Sequence, residues 1–298
     1  MLNNVTVVIR SVGERTSKAC YNAIAGQVSE DNIFVVNKTP FSEAVRANFE
    51  IGINQNLPWT LSVDADLILS ENAVRSMVDA FSKLKGNYFI YQGWVYDKFF
   101  NGFRTGGPHL YRTSLLEQAI TYLPHKDSNL RPESSIYVEM QKLGYGYYVD
   151  KTYFGLHDFE QSKRDIYRKF FLHAKKHKTQ LKRFLDTWKD RILIDNDFIY
   201  ALKGLADGLT YKGDVYVDKH FFDEKYNTFY ADFNIEEKTL EIDDQVFKEY
   251  FFLAEETLAK TKNLLHVDDN GMLKKDNKVN LLDKIKIKVA KVVKKSGV

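Results

Sequence analysis

Residues 59–69 read Trp-Thr-Leu-Ser-Val-Asp-Ala-Asp-Leu-Ile-Leu. Thr60–Val63 is a short apolar run of the kind that forms a strand buried in a sheet. It leads directly into Asp64-Ala65-Asp66, and apolar residues resume at Leu67. Two carboxylates between apolar flanks are costly unless something positive meets them. In extended backbone, side chains at i and i+2 point the same way. A hard divalent cation, Mg2+ or Mn2+, suits such a pair, because these ions prefer oxygen ligands and bind through one or two carboxylates plus substrate phosphates. Elsewhere Asp-x-Asp is usually a solvated turn; its place at the end of a buried strand is what gives it meaning.

Similar runs flank this one. Val5–Ile9, Ile33–Val36, Tyr88–Tyr91 and Tyr147–Val149 read as further strands. Helices fall between them. Thr16 can cap one that ends near Gly26, and Val45, Phe49 and Ile53 share one side of another. Ser70 can cap a third, with Ala73, Val74, Met77, Val78, Phe81 and Leu84 at helical period. Ile136, Met140 and Leu143 mark a fourth, stopped by Gly144. This alternation predicts a three-layer, mostly parallel α/β sheet. Ligands of such sheets bind beyond the carboxyl ends of the strands. From about residue 160 the character changes. Gln161–Asp190 is rich in Lys and Arg at helical spacing, and Asp195–Gly208 and Asp243–Lys262 also read as helices.

The whole chain has 298 residues, 44% hydrophobic and 28% charged, a composition that excludes a disordered or fibrous protein. A net charge of +3 gives no ground for a nucleic-acid partner. With Cys20 as the single cysteine, neither an intrachain disulfide nor a thiolate metal cluster can form. No basic segment followed by a long apolar run opens the chain, and no stretch approaches ~18 consecutive apolar residues, so neither a secretory signal nor a membrane span is expected.

Four segments in order resemble glycosyltransferase family 2, whose fold is GT-A, a Rossmann-like sheet. VTVVIRSVGERTSKACYNAIAGQ is similar to its first nucleotide-binding segment, and EAVRANFEIGINQNLPWTLSVDADLIL to the run into its Asp-x-Asp strand. FRTGGPHLYRTSLLE is similar to its Gly-Gly acceptor loop and following helix. RPESSIYVEMQKLGYGYYVD is similar to the acidic motif, helix and Gly-aromatic strand that close the catalytic core. The resemblance covers roughly residues 4–158. It implies a catalytic domain over 1–160, and the change of character beyond that predicts a largely helical region over 161–298.

It also implies roles. Arg10, Ser11, Val12 and Glu14 would line the nucleoside pocket. Asn37 stands where the family usually has an acid that reads the base, which leaves the nucleotide open between UDP and GDP. Arg46 would approach the nucleotide or its diphosphate, or lie solvated on its helix. Asp64, with Ala65 beside it, would contact the ribose or the metal's water shell, and Asp66 would bind the metal. His157, read as lying in a short loop after the fifth strand, would complete that shell, with Asp158 as neighbour or substitute. Glu133, in Pro132-Glu133-Ser134 rather than the usual Glu-Asp pair, would be the base that deprotonates an acceptor hydroxyl. Gly107 and His109 would border the donor sugar or the acceptor, and Trp94 could stack on a sugar ring or pack in the core.

The expected activity is metal-dependent, inverting transfer of a sugar from a nucleoside diphosphate to a glycan or glycolipid, in bacterial surface polysaccharide synthesis. A retaining transferase and a sugar-binding module without turnover are the competing readings. A sugar nucleotidyltransferase would open with a Gly-rich loop, whereas Arg10–Arg15 holds one glycine. Residues 281–298 carry an apolar stripe (Leu281, Leu282, Ile285, Val289, Val292, Val293) with lysines largely elsewhere. That pattern predicts a basic helix on an anionic membrane, and hence a cytoplasmic protein at the inner face of the plasma membrane. A solvated tail or a helix packed on a partner has the same pattern.

Overall fold

The computed structural model describes residues 1–124, 131–176, 181–215, 222–223, 225–228 and 236–261. The basic tail therefore lies outside the described residues. Among them are seven strands: β1 (Val5–Arg10), β2 (Ile33–Val36), β3 (Trp59–Asp64), β4 (Leu67–Leu69), β5 (Tyr88–Asp97), β6 (Gly102–Arg112) and β7 (Gly146–His157). They form one sheet in the order β2-β1-β3-β6-β5-β7-β4. β1 pairs in parallel with β2 and β3, and β5 with β7. β6 is antiparallel to both β3 and β5, and β4 is antiparallel to β7. Thus β1, β2, β3, β5 and β7 all run one way, and their last residues share one edge.

Alternation along β1 sets the layers. Val5, Val7 and Ile9 face one side with α1 (Ser17–Ala25), α3 (Ala73–Lys83) and Phe247 and Ala254 of the final helix, Gln245–Thr261. Val8 faces the other, against Ala44 of α2 (Phe41–Gln55). On that second side Val45 and Phe49 meet Phe89 and Tyr111 of the sheet, with α4 (Leu116–Ile120) and α5 (Pro132–Lys142). The expected three-layer α/β sheet is what forms. Ser70 and Thr16 do not act as helix caps: Ser70 donates to the Phe154 carbonyl and Thr16 to the Ala65 carbonyl, both tertiary contacts.

Two strands escaped the sequence pattern. β4 is too short to show a period. β6 contains Gly106-Gly107-Pro108, read above as a loop because Gly and Pro interrupt strands. They sit where the β5 register slips between Gln92 and Trp94, and Pro108 lies just beyond the last β3 partner, His109. No ladder hydrogen bond is therefore asked of the proline. Gly107 has φ +91°, and a Cβ there would meet Leu67 and Val95 at 2.8 and 2.9 Å.

Beyond the sheet, α6 (Lys163–Lys176), α7 (Leu181–Arg191) and α8 (Asp197–Thr210) build a core of their own. It is centred on Phe170, Phe171, Phe184, Trp188, Phe198 and Phe99, the last reaching in from just past β5. The final helix, Gln245–Thr261 (α9), returns to the sheet. Gly204 and Gly208, one turn apart on α8, let it lie directly on the α6 backbone: a Cβ at Gly204 would overlap the Tyr167 carbonyl, and one at Gly208 would sit 2.5 Å from the Phe171 carbonyl. No helix of the described residues is long and apolar enough to cross a membrane.

In an open helix, Gly→Ala gains about 1 kcal/mol. At this contact the sign should reverse, because overpacking costs about 1–3 kcal/mol. Gly204→Ala is expected to lower the urea midpoint; an unchanged or raised midpoint would show that the two backbones are not in contact.

Candidate functional site

The carboxyl edge of the sheet opens into a cavity of about 420 Å³, within the range of small-molecule sites. Four of the five strands that end there, all but β2, end on a polar residue. Arg10 ends β1 and is paired in register with Asp64, which ends β3. Asp97 ends β5 and is paired with His157, which ends β7 and also faces Leu67 at the start of β4.

Asp64 and Asp66 both line the cavity but do not share partners. The chain turns at Ala65-Asp66, held by Ala65 N–H to the Arg10 carbonyl (2.9 Å) and Asp158 N–H to the Asp66 carbonyl (3.1 Å). The turn sends the two carboxylates to different partners. Asp64 Oδ1 accepts from Arg10 Nε at 2.8 Å, and Arg10 Nη1 donates to Glu133 Oε1 at 2.6 Å. The Arg10 side chain is 4% exposed and lies over the Phe41 ring. Burial alone would raise the Glu133 pKa, but the Arg10 guanidinium outweighs it and holds the carboxyl below its usual range. Arg10 is thus a buried bridge between two acids as well as part of the cavity wall. Ser11 and Val12 follow it, and Glu14 folds back so that its Oε2 accepts from Val12 N–H and Ser11 Oγ.

Asp66 belongs instead with His157 and Asp158. One ligand atom from each lies within 4.8 Å of the others, a set able to hold a metal ion. His157 is the last residue of β7 rather than part of a loop. Its Nδ1 is 2.9 Å from Asp97 Oδ2, and its Nε2 faces Asp66 Oδ1 at 3.7 Å. Asp97 is fully buried; its Oδ2 also accepts from Arg104 Nε at 2.6 Å, and its Oδ1 from the N–H groups of Phe99 and Phe100. A carboxylate that fixes one ring nitrogen and aims the other is the usual support of a metal-binding histidine. Asp66 Oδ1 is buried with no hydrogen-bond partner, an atom that invites a ligand. On these grounds the donor set fits a divalent cation. Asp64 stands outside it.

The opposite wall is cationic and comes from α6. Lys169 Nζ contacts both Asp66 Oδ2 (2.9 Å) and Asp158 Oδ1. Arg168, His173 and Lys176 line the same wall, with Arg131 from the start of α5. Burial, then the charges of Arg131 and Lys169, push the Lys176 ammonium down to about 8. Among the described residues no carboxylate pairs with Lys176. A group of positive charges that repel one another is a place for an anion.

The structure brings Arg10, Ser11, Val12, Glu14, Asp64, Asp66, Gly107, Glu133 and His157 to one cavity. Five other expected positions lie off its lining. Asn37 is exposed just past β2, and Arg46 is half-buried on α2. Ala65 is buried beneath the turn. Trp94 is 2% exposed and near Phe103, so no sugar can stack on it. His109 is held in β6, with Gln92 Nε2 3.0 Å from its Nε2. Sequence reading passed over Asp97, Arg104, Arg168, Lys169 and Lys176. Asp97 hides in a hydrophobic strand; the α6 cations were visible only as a Lys/Arg-rich helix.

No protein-family model matches the chain, and no curated protein matches it. Solved structures do. S. aureus TarS is 12% identical over 69% of this chain and 81% of its own, at a TM-score of 0.40. A glycosyltransferase involved in glycosylation of the PBCV-1 major capsid is 12% identical over 49% of this chain and 81% of its own, at 0.34. The 4-diphosphocytidyl-2C-methyl-D-erythritol synthase of Anaerococcus prevotii is 9% identical over 51% and 87%, at 0.38.

Burial would lower the His157 pKa, but Asp158 and Asp66 outweigh it and push the imidazole up from 6.5 to about 9. A raised folded-state pKa stabilises fully below 6.5 and ceases to do so as pH rises through 9. In EDTA, the chain should therefore lose on the order of 3 kcal/mol across that window. His157→Gln should flatten this part of a melting-temperature profile; an equal slope in both proteins would place the titration elsewhere.

Proposed function

We propose that this protein is a GT-A-type glycosyltransferase that moves a sugar from a nucleoside diphosphate to a hydroxyl of a glycan or glycolipid. The observation that carries the reading is the meeting, in one cavity at the carboxyl edge of the sheet, of an Asp66–His157–Asp158 cluster, a cationic wall and a half-buried carboxylate at Glu133. A nucleotide-sugar needs all three: charge to hold its diphosphate, charge to stabilise that diphosphate as it leaves, and a base for the incoming alcohol.

Residues 1–160 supply most of the catalytic unit, but α6 of the helical region completes it, since Lys169 and Lys176 both line the cavity. Arg10, Ser11, Val12 and Glu14 border the nucleoside. Asp66, His157 and Asp158 would hold Mn2+ or Mg2+; when bound, the ion supplies positive charge against the leaving diphosphate. An imidazole in the set favours Mn2+. Arg131, Arg168 and Lys176 face the phosphates. The acceptor oxygen attacks the anomeric carbon, the bond from that carbon to the diphosphate oxygen breaks, and the hydroxyl proton passes to Glu133, inverting the centre. The grip of Arg10 on Glu133 keeps that carboxylate ionised but makes it a weaker base. This favours, as the second reading, a retaining transferase that needs no base there.

Incubation with UDP- and GDP-sugars and Mn2+ should release nucleoside diphosphate, slowly with water and faster with acceptor. Asp66→Ala should abolish release. Glu133→Gln should cut transfer by about 10²-fold or more while leaving the thermal shift by UDP intact. Full transfer by Glu133→Gln would select the retaining reading, and no metal-dependent turnover or thermal shift with any donor would overturn the assignment.

A further inference from the structure

Lys169 holds a position that the metal reading leaves unexplained. Its ammonium touches one oxygen of Asp66 and one of Asp158. Those two residues supply two of the three ligands in the candidate metal cluster. The remaining Asp66 oxygen, Oδ1, is buried, unpartnered and turned toward His157 Nε2. The cluster is thus half satisfied by a side chain and half open.

The lysine is set there by its helix. At about 100° per residue, Lys169, Leu172, His173 and Lys176 share the cavity face of α6, while Tyr167, Phe171 and Ala174 face α8 on the opposite side. The α6 backbone cannot back away from the cavity toward α8, because Gly204 and Gly208 already bring the two into contact. Only the flexible four-carbon stem of Lys169 can move its charge.

We propose that Lys169 is a resident counter-cation of the metal site, which a divalent ion must displace from Asp66 and Asp158 in order to bind. This inference rests on the metal reading given above. An ammonium in contact with Asp66 and Asp158 and a divalent ion on the same two carboxylates repel at close range, so the metal-competent state is the fraction of molecules with the lysine swung away. Apparent affinity is reduced by that fraction. The free chain consequently binds metal weakly, and the ammonium, once displaced, remains in the cavity as a further positive charge on the diphosphate side.

The test is Mn2+ titration of the full chain without nucleotide, followed by isothermal calorimetry and by the electron paramagnetic resonance of free Mn2+. Lys169→Met should bind Mn2+ at least about tenfold more tightly than wild type. Lys169→Gln, which keeps a hydrogen-bond donor for the two carboxylates, serves if the Met variant does not fold. Lys176→Met removes a charge from the same wall without vacating the ligands, and should change affinity by less than about threefold. Equal or weaker binding by the Lys169 variants, or an equal gain from Lys176→Met, overturns the proposal while leaving a metal site in place. No Mn2+ binding by wild type or any variant, even with UDP present, overturns the metal reading and this inference together.

Discussion

The guanidinium of Arg10 is the interaction on which the site depends. A buried cation has to be met by anions, and a buried anion by cations, or the cost runs to several kcal/mol. Arg10 ends β1, Asp64 ends β3, and Glu133 lies in the first turn of α5. One side chain therefore fixes two adjacent parallel strands and a helix from a distant part of the sequence. Phe41 of α2 covers its face. The bridge also determines what the acidic turn can do. With Asp64 engaged, Asp66 is the carboxylate left for a ligand, and the turn at Ala65 carries it across to the end of β7.

A second network repeats this logic around Asp97. That carboxylate is fully buried, yet backbone N–H groups, Arg104 and His157 all donate to it. It orients the imidazole and leaves Nε2 toward the cavity. The two networks stand on opposite sides of β6, and its Gly106-Gly107 irregularity leaves room between them. Around Arg10 and Asp97, charge is held by fixed partners, which is the condition for electrostatic preorganisation.

Much of this was legible before any coordinates. The runs at Val5–Ile9, Ile33–Val36 and Thr60–Val63, and the period of Ala73–Leu84, specify the parallel half of the sheet, because buried strands and amphipathic helices leave strong local patterns. The carboxyl edge then locates the site, and nine expected residues lie in its cavity. The rest was hidden for physical reasons. Gly106-Gly107-Pro108 looks like a loop because local propensity says nothing about where a partner strand slips. Asp64 and Asp66 look like a matched pair because the i, i+2 rule holds only while the backbone stays extended. Trp94 looks available because aromaticity does not report depth, and His109 because polarity does not report that Gln92 already meets its ring. Lys169 is one cation among many in a basic stretch, and its role follows from which way α6 is rolled.

That roll is governed from behind. Gly204 and Gly208 touch nothing in the cavity, yet they bring the α8 axis against α6 at the face opposite the lysines. They act as a jig: the depth at which one helix is seated sets where the charges on the other are aimed. The chemical tuning of this pocket is thus partly written in two residues that have no side chains, on a helix outside the cavity lining.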